Sequence, residues 1–408
     1  MSKKIKPLNP FFTGRTTIPD EYFCDREAET KELIKKLTNG SNVVLKSPRR
    51  IGKSSLIEHL FCQPEIRDNY NTLYVDIFGT KTMEEFVKEF QNALLEAPFA
   101  KTERGRTEVR NMLKDLYFQI NFSEFSGLPN SVRVGVSPSQ GVTMTLSAIF
   151  GFLEKTERPN IIVFDEFQKI KEYSEDAAAM IRSHVQRMTN ANFIFSGSSR
   201  HLLNQMFEYP NEPFYRSASS MNLDIIPLES YSSFCERLFS EYGRGIEADA
   251  VNLVYCLFSG NTYDTQETMK ETFTEVPEGS TVVKQDILNA IDNLLDSRDQ
   301  EFRGMLDKVE SAKARKVIAC IAREGIATRL TSADKLKSYK LDNASSVQNA
   351  IKVLSGESLN FVKKVGKASY SLNNRFFEYW HSRRDGYLEE KIENAADRFN
   401  WERSLEKE

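Results

Sequence analysis

Gly52-Lys53-Ser54 and Asp165-Glu166 are the residues whose types and spacing best fit a definite chemistry, that of a polyphosphate handled with a divalent cation. Gly52 lets the backbone turn its N–H groups toward a β-phosphate. Lys53 brings a mobile positive charge to the β- and γ-phosphates, and the Ser54 hydroxyl is a ligand for Mg2+. The helix expected to open there points its positive dipole end at the anion. The triplet ends a G-x-x-x-x-G-K-[ST] pattern whose first glycine is replaced by Ser47. Ser47, Pro48, Arg49, Arg50, Ile51, Gly52, Lys53, Ser54 and Ser55 together form the expected nucleotide loop. The apolar run Val43-Val44-Leu45 just before it argues against a surface loop that carries the triplet by chance.

Asp165-Glu166 follows the apolar run Ile161–Phe164. Asp165 is expected to hold Mg2+ through water, and Glu166 to orient and activate the attacking water. Seen alone, the pair suits an acidic helix cap equally well; the upstream loop tips it toward catalysis. Ser196, Ser198, Ser199 and Arg200 end another apolar run, where a hydroxyl or guanidinium can report a γ-phosphate. Arg200 also suits a solvent-facing helix start. Arg216, in Pro213-Phe214-Tyr215-Arg216, suits either an arginine finger toward a neighbouring subunit's phosphate or an ion pair with a carboxylate.

Such residues must be delivered by strands. Buried strands are expected at 43–45, 73–77, 160–164, 192–195 and near 221–226, with helices over 26–38 and 82–95. Strands alternating with helices from 26 to about 227 imply a parallel sheet covered on both faces, whose ligands sit beyond the carboxyl ends of the strands. Residues 119–139 break the alternation. Val132, Val134 and Val136 at period two, after Ser126-Gly127-Leu128-Pro129-Asn130, predict an inserted hairpin.

At 408 residues the chain exceeds one simple core. The expected organisation is an ATPase core over 1–227, a helical lid over 228–305, a winged helix over 306–384 and a charged helical tail over 385–408. The net charge of −3 implies no global attraction to nucleic acid. The five cysteines form no C-x-x-C pair and read as reduced packing residues of a cytoplasmic protein. The four histidines have no metal-ligand spacing, the basic start is followed by no apolar run, and no membrane span is expected.

Residues 228–305 carry Tyr231, Phe234, Leu238 and Phe239 at helical spacing, which suits a core-facing lid helix. Beyond them, helices over 312–324, 331–338 and 344–355 precede strands at 360–363 and 368–372 about a Gly366 turn, a winged-helix pattern. Residues 311–384 hold fifteen basic against five acidic side chains. That balance suits contact with a duplex phosphate backbone. Ser345, Ser346, Gln348, Asn349 and Lys352 would lie on the recognition helix, and Lys363, Lys364 and Lys367 on the wing. It equally suits docking on an acidic ATPase domain of the same or a neighbouring chain.

With these residues in view, the chain resembles the prokaryotic "archaeal ATPase" family, near the STAND and origin-initiator branches of the AAA+ class. The match is carried by Asn9-Pro10-Phe11 with Phe23-x-x-Arg26-Glu27, by Ser47–Ser54, by Asp165-Glu166-Phe167-Gln168 and by Phe195–Ser199. The resemblance implies an AAA+-type P-loop NTPase sheet, then a lid and a C-terminal winged helix. It implies ATP or ADP with Mg2+, with Phe23 and Arg26 in a segment running along the adenine. It adds weight to Arg200 as a phosphate sensor. Gly260–Gln266 resembles a base-touching lid element, with Thr262 where proline is usual. The expectation is an ATPase switch, acting as a monomer or a homo-oligomer, that binds ATP between sheet and lid. Its nucleotide state would move a winged helix acting on DNA or a protein partner. The alternative is a nucleotide-stabilised binding module without significant hydrolysis.

Overall fold

In a computed structural model the protein is described over residues 6–14, 17–121, 140–356 and 359–405. These fall into two compact units, one of residues 17–20 and 26–224, the other of 6–14, 21–25 and 225–405.

The first unit is a five-stranded sheet. Its strands are β1 (Val43–Lys46), β2 (Asn71–Asp76), β3 (Asn160–Asp165), β4 (Ala191–Gly197) and β5 (Ser219–Asn222), in the order β2-β3-β4-β1-β5. Every pairing is parallel. Near-continuous apolar runs such as Ile161–Phe164 are what a sheet covered on both faces requires, and β1 and β3 are buried throughout. The covering helices are α1 (Glu27–Thr38), α2 (Lys53–Cys62), α3 (Met83–Glu96), α4 (Glu103–Asn121), α5 (Gln140–Glu154), α6 (Ala177–Arg187) and α7 (Arg200–Glu208). In α3, Phe86, Val87, Phe90 and Leu94 form the buried stripe. The Thr82 hydroxyl accepts from the Glu85 N–H and caps the helix. Phe164, Phe167, Phe193, Phe195, Phe207 and Phe214 pack ring on ring over one face of the sheet.

Two expectations shift. The fifth strand lies at Ser219–Asn222, not 221–226, because its partner β1 ends at Lys46; after Leu223 N–H bonds to the Lys46 carbonyl no backbone remains to pair with. Of the hairpin expected at 119–139, residues 119–121 instead complete α4; residues 122–139 lie outside the described residues.

The second unit begins with α8 (Leu228–Glu241), β6 (Gly245–Ile246), α9 (Ala248–Leu257), α10 (Thr262–Glu275), β7 (Thr281–Val282), α11 (Lys284–Ser297) and α12 (Asp299–Asp307). Phe11 is buried here against Phe234, Phe239 and Phe273. The Asn261 side chain caps α10 by accepting from the Asp264 N–H. Thr262 is therefore the first helical residue, a position that proline also suits.

A winged helix follows: α13 (Ala312–Glu324), β8 (Ile326–Thr328), α14 (Ala333–Ser338), α15 (Ala344–Leu354), β9 (Val362–Gly366) and β10 (Ser369–Leu372), with strand order β8-β10-β9. Strand β8 was not foreseen. Gly366 closes β9 without left-handed backbone, and it is Ala368, at φ 56°, that turns the wing. Helices α16 (Arg375–Arg384), α17 (Leu388–Glu393) and α18 (Ala395–Leu405) complete the unit. No helix among the described residues is long and apolar enough to cross a membrane.

Candidate functional site

The chain turns from β1 through Ser47–Gly52 into α2, and only two residues of that turn are left-handed. They are Arg50 at φ 64° and Gly52 at φ 88°. A Cβ on Gly52 would meet nothing within 4 Å, so it is the dihedral that asks for glycine there. Ser47 needs no positive φ, which explains how serine stands where the pattern has glycine. Its side chain is fully buried and its Oγ has no hydrogen-bond partner.

Across the sheet, β3 ends beside the loop and its carboxylates close on Lys53. The Lys53 Nζ lies 2.5 Å from Asp165 Oδ1 and 3.2 Å from Glu166 Oε1. Ser196 Oγ donates to Asp165 Oδ1 at 2.7 Å, and the Glu166 N–H to the same oxygen at 2.9 Å. Ser54 Oγ donates to Asp165 Oδ2 at 3.3 Å, and the Tyr74 hydroxyl bonds that oxygen too. Glu166 Oε2 accepts from Gln168 Nε2 at 2.5 Å and from Ser198 Oγ at 2.8 Å. Burial by itself would raise both carboxyls. The Lys53 charge and these donors outweigh it and hold both below the usual carboxylate range, although Asp165 opposes this at Glu166. Burial, and then the Asp165 charge, push the Tyr74 phenol well up, so it remains a donor.

The other expected residues are placed as follows. Arg49 is exposed, with Nε 3.2 Å from Ser198 Oγ. Pro48 and Ser55 are half-buried, Arg50 is exposed and Ile51 is buried. Arg26 is buried, and its guanidinium donates to Glu29, to the Ile51 carbonyl at 3.4 Å and to the Asp224 carbonyl at 2.6 Å. It braces the loop and the exit from β5 through protein oxygens. Phe23 belongs to the second unit. Arg200 opens α7 and donates to the Leu223 carbonyl at 3.3 Å, while its buried Nε has no hydrogen-bond partner. Arg216 is the one site residue of this unit that the sheet carries away from the loop. It precedes β5, whose first residue pairs with the first residue of β1, so it sits at the opposite end of the strands. Its guanidinium is exposed over the Tyr215 ring.

Sequence reasoning missed Tyr74 and the bonding role of Gln168. It also missed Lys46, which is buried and held by Asn204 Oδ1 and Glu208 Oε1 of α7, each at 2.7 Å. Tyr74 does carry a signal, as a polar group inside the run Leu73–Val75.

The residues present fit a magnesium nucleotide. Ser54 and Asp165 offer adjoining hard oxygens, Lys53 a buried ammonium and Ser47 an unpartnered hydroxyl. Among the described residues no cluster of histidine, cysteine and acidic side chains offers another metal site.

In the winged helix, Val347, Ala350, Ile351 and Leu354 of α15 are buried, which leaves Ser345, Gln348, Asn349 and Lys352 exposed and Ser346 half-buried. Lys363, Lys364 and Lys367 are exposed on the wing.

Residues 23–267 match the family described as an ATPase domain predominantly from Archaea, and residues 300–383 match a probable winged helix domain. Among solved structures, a Walker-type ATPase of Pyrococcus abyssi superposes with a TM-score of 0.59 at 17% identity, covering 91% of this chain and 99% of that one. The ORC2 protein of Aeropyrum pernix, in ADPNP–ADP complexes, gives 0.55 at 14% identity, covering 95% and 97%. The ORC1 protein of Aeropyrum pernix, in complex with DNA, gives 0.50 at 15% identity, covering 92% and 97%. Among curated proteins none matches. The strand order, followed later in the chain by the winged helix, is that of an AAA+-type P-loop ATPase fold.

Proposed function

The chain belongs to the ATPase domain family found predominantly in Archaea, and on that premise we propose that it is an Mg2+-dependent, ATP-hydrolysing switch of the AAA+ and STAND type. In this reading its nucleotide state controls the winged helix, which acts on DNA or a protein partner.

One observation carries the proposal: Lys53, Ser54, Asp165 and Glu166 converge on one point at the carboxyl ends of the strands. Bound ATP and Mg2+ would supply a phosphoanhydride polarised by the cation. Lys53 exchanges its carboxylate partners for phosphate oxygens, and Ser54 and Asp165 hold the metal side. Glu166, oriented by Ser198 and Gln168, accepts the proton of the attacking water. Arg200, whose buried Nε lacks a partner, is the sensor on the same edge of the sheet. Arg216 acts only in trans, on the nucleotide of a neighbouring copy. Catalysis here is mostly positioning and electrostatics, and turnover is slow. The five free cysteines suit the reducing cytoplasm.

Duplex DNA is the first partner to try. Lys352, Lys364 and Lys367 are exposed without an acidic partner among the described residues, and the similar ORC1 protein is found in complex with DNA. The second reading, a nucleotide-stabilised module without hydrolysis, draws on Glu166 itself, whose oxygens are already engaged by Lys53, Gln168 and Ser198.

The two readings part when wild type and Glu166→Gln are incubated with ATP and Mg2+ and followed for released phosphate and retained nucleotide. Turnover by wild type, with ATP trapped by the variant, supports the switch. Bound ATP without phosphate release by either protein leaves the module. No bound nucleotide overturns both.

A further inference from the structure

We propose that Tyr74 is a positioning residue for Asp165. Its phenol, delivered by the neighbouring strand β2, holds the Oδ2 oxygen in place when Lys53 and Ser54 turn to a nucleotide and its cation. The inference rests on reading the site as one for ATP and Mg2+.

Five donors meet the Asp165 carboxylate. Oδ1 takes Lys53 Nζ at 2.5 Å, Ser196 Oγ at 2.7 Å and the Glu166 N–H at 2.9 Å. Oδ2 takes Ser54 Oγ at 3.3 Å and the Tyr74 hydroxyl. The proposed chemistry claims two of these, because the lysine is needed by phosphate and the serine by the cation. Oδ1 then keeps two protein donors, whereas Oδ2 keeps Tyr74 alone. A carboxylate torsion is broad and roughly two-fold in its preferences, so one fixed donor on the second oxygen decides how the group is presented. The strand register makes Tyr74 that donor. Asp76 pairs with Asp165, and Tyr74, two residues earlier on β2, points to the same face of the sheet as Asp76. Its ring is half-buried within the sheet edge, so the hydroxyl arrives on a stiff arm with two side-chain torsions.

The plainer account makes Tyr74 a packing aromatic whose hydroxyl found a convenient acceptor. The two accounts differ in whether metal dependence changes when only the hydroxyl is removed. Full-length wild type, Tyr74→Phe, Asp165→Asn and the double variant are titrated with a fluorescent ADP analogue and MgCl2, and urea midpoints report folding. Tyr74→Phe keeps the ring. It is expected to raise the Mg2+ concentration for half-maximal enhancement of binding by about tenfold, or about 1.4 kcal/mol. At fixed Mg2+, adding Tyr74→Phe to Asp165→Asn is expected to weaken analogue binding no further. Tyr74→His keeps a ring N–H donor and is expected to stay within about threefold of wild type; it carries the test if the phenylalanine variant does not fold. A wild-type Mg2+ response in Tyr74→Phe overturns the inference and leaves the ATPase reading standing. So does an equal loss in the Asp165→Asn background. If wild type binds no analogue at all, the ATPase reading fails and the inference falls with it.

Discussion

Lys53→Ala is expected to destabilise the nucleotide-free protein, beyond any effect on ATP binding. Among the described residues Lys53 is the cation that contacts both carboxylates of the site, at 2.5 Å from buried Asp165 and 3.2 Å from half-buried Glu166. With an effective dielectric of about 20, a unit pair at 2.5 Å is worth roughly 7 kcal/mol before desolvation is charged against it. Breaking a buried pair by removing one partner typically costs about 3–5 kcal/mol, because the remaining charge is left uncompensated. Here the low end applies, since Tyr74, Ser54, Ser196 and the Glu166 N–H still hold Asp165. For a unit of this size, about 3 kcal/mol lowers the melting temperature by roughly 6–12 °C. The assay is urea and thermal unfolding without nucleotide and with a chelator present. Adding Asp165→Asn to Lys53→Ala removes one uncompensated charge and is expected to recover about 1–2 kcal/mol. Equal stability of Lys53→Ala and wild type would refute the reasoning, as would a double variant no more stable than the single one.

Glu402→Ala is expected to cost about 3 kcal/mol in the second unit, the low end for a buried pair, read as a lower urea midpoint, because half-buried Arg375 meets Glu402 at 2.8 Å and Arg398 reaches the same carboxylate at 3.0 Å, while Arg375 keeps Glu378. Stability is also expected to fall as pH drops below about 6.5. Burial holds the imidazoles of His184 and His381 below their ordinary value. Arg187 adds to this at the first; at the second, Asp385 opposes it while Arg384 and Lys391 add to it. The unfolded chain then binds more protons than the fold, so stability is complete above that pH and declines by up to about 1.4 kcal/mol per pH unit per histidine; urea unfolding from pH 7.5 to 5.5 measures it. If duplex DNA is the partner, replacing Lys352, Lys364 and Lys367 by glutamate makes the negative slope of log affinity against log salt shallower by about 3, read by fluorescence anisotropy.

The loop and the Asp-Glu pair were legible because their signals are local. A parallel strand buried on both faces must be apolar throughout, and the turn that follows it must be polar and contain glycine, so Val43–Lys46 into Gly52 and Ile161–Phe164 into Asp165 stand out in one dimension. Which strands lie side by side is not written locally. Tyr74 bonds Asp165 only because β2 is paired with β3 across 83 intervening residues, and nothing near Tyr74 reports that neighbour. Strand β8 escaped notice for a related reason. Ile326–Thr328 is three residues long, and its pairing partner β10 lies some forty residues on. The fifth strand was set too late because apolar Leu223, Ile225 and Ile226 look like strand, yet β1 is too short to pair with them.

Arg216 and Arg26 depend on placement in another way. Both were read from residue type and motif position, and type alone does not tell which end of a strand a residue reaches. Arg26 has its donors taken up by Glu29, Ile51 and Asp224 within the fold. Arg216 lies a strand length, about 13 Å, from the loop edge.

The same distinction bears on the excess of ten positive charges in 311–384. Counting treats each lysine and arginine as part of one field, but many are paired inside the second unit. Lys313 pairs with Asp342 at 2.6 Å, and Lys335 with Glu324. Arg383 pairs with Asp292 and with Asp296 at 2.6 Å on α11. Arg375 is held between Glu378 and Glu402. Arg383 and Arg375 tie this stretch to α11 and α18, Lys313 and Lys335 pair within it, and a paired charge contributes little to a field at a distance. The acidic partners of this subset lie within the second unit, Asp342, Glu324 and Glu378 in the same stretch and Asp292, Asp296 and Glu402 on α11 and α18. What remains for an outside partner is a smaller set that includes Lys352, Lys364 and Lys367 on the exposed face of α15 and the wing, beside Gln348 and Asn349, and the exposed Arg329, Lys337 and Lys340. A partner that neutralises a few phosphates through these residues would bind with a smaller salt dependence than the charge count suggests. A slope as steep as fifteen free cations would give is not compatible with this pairing.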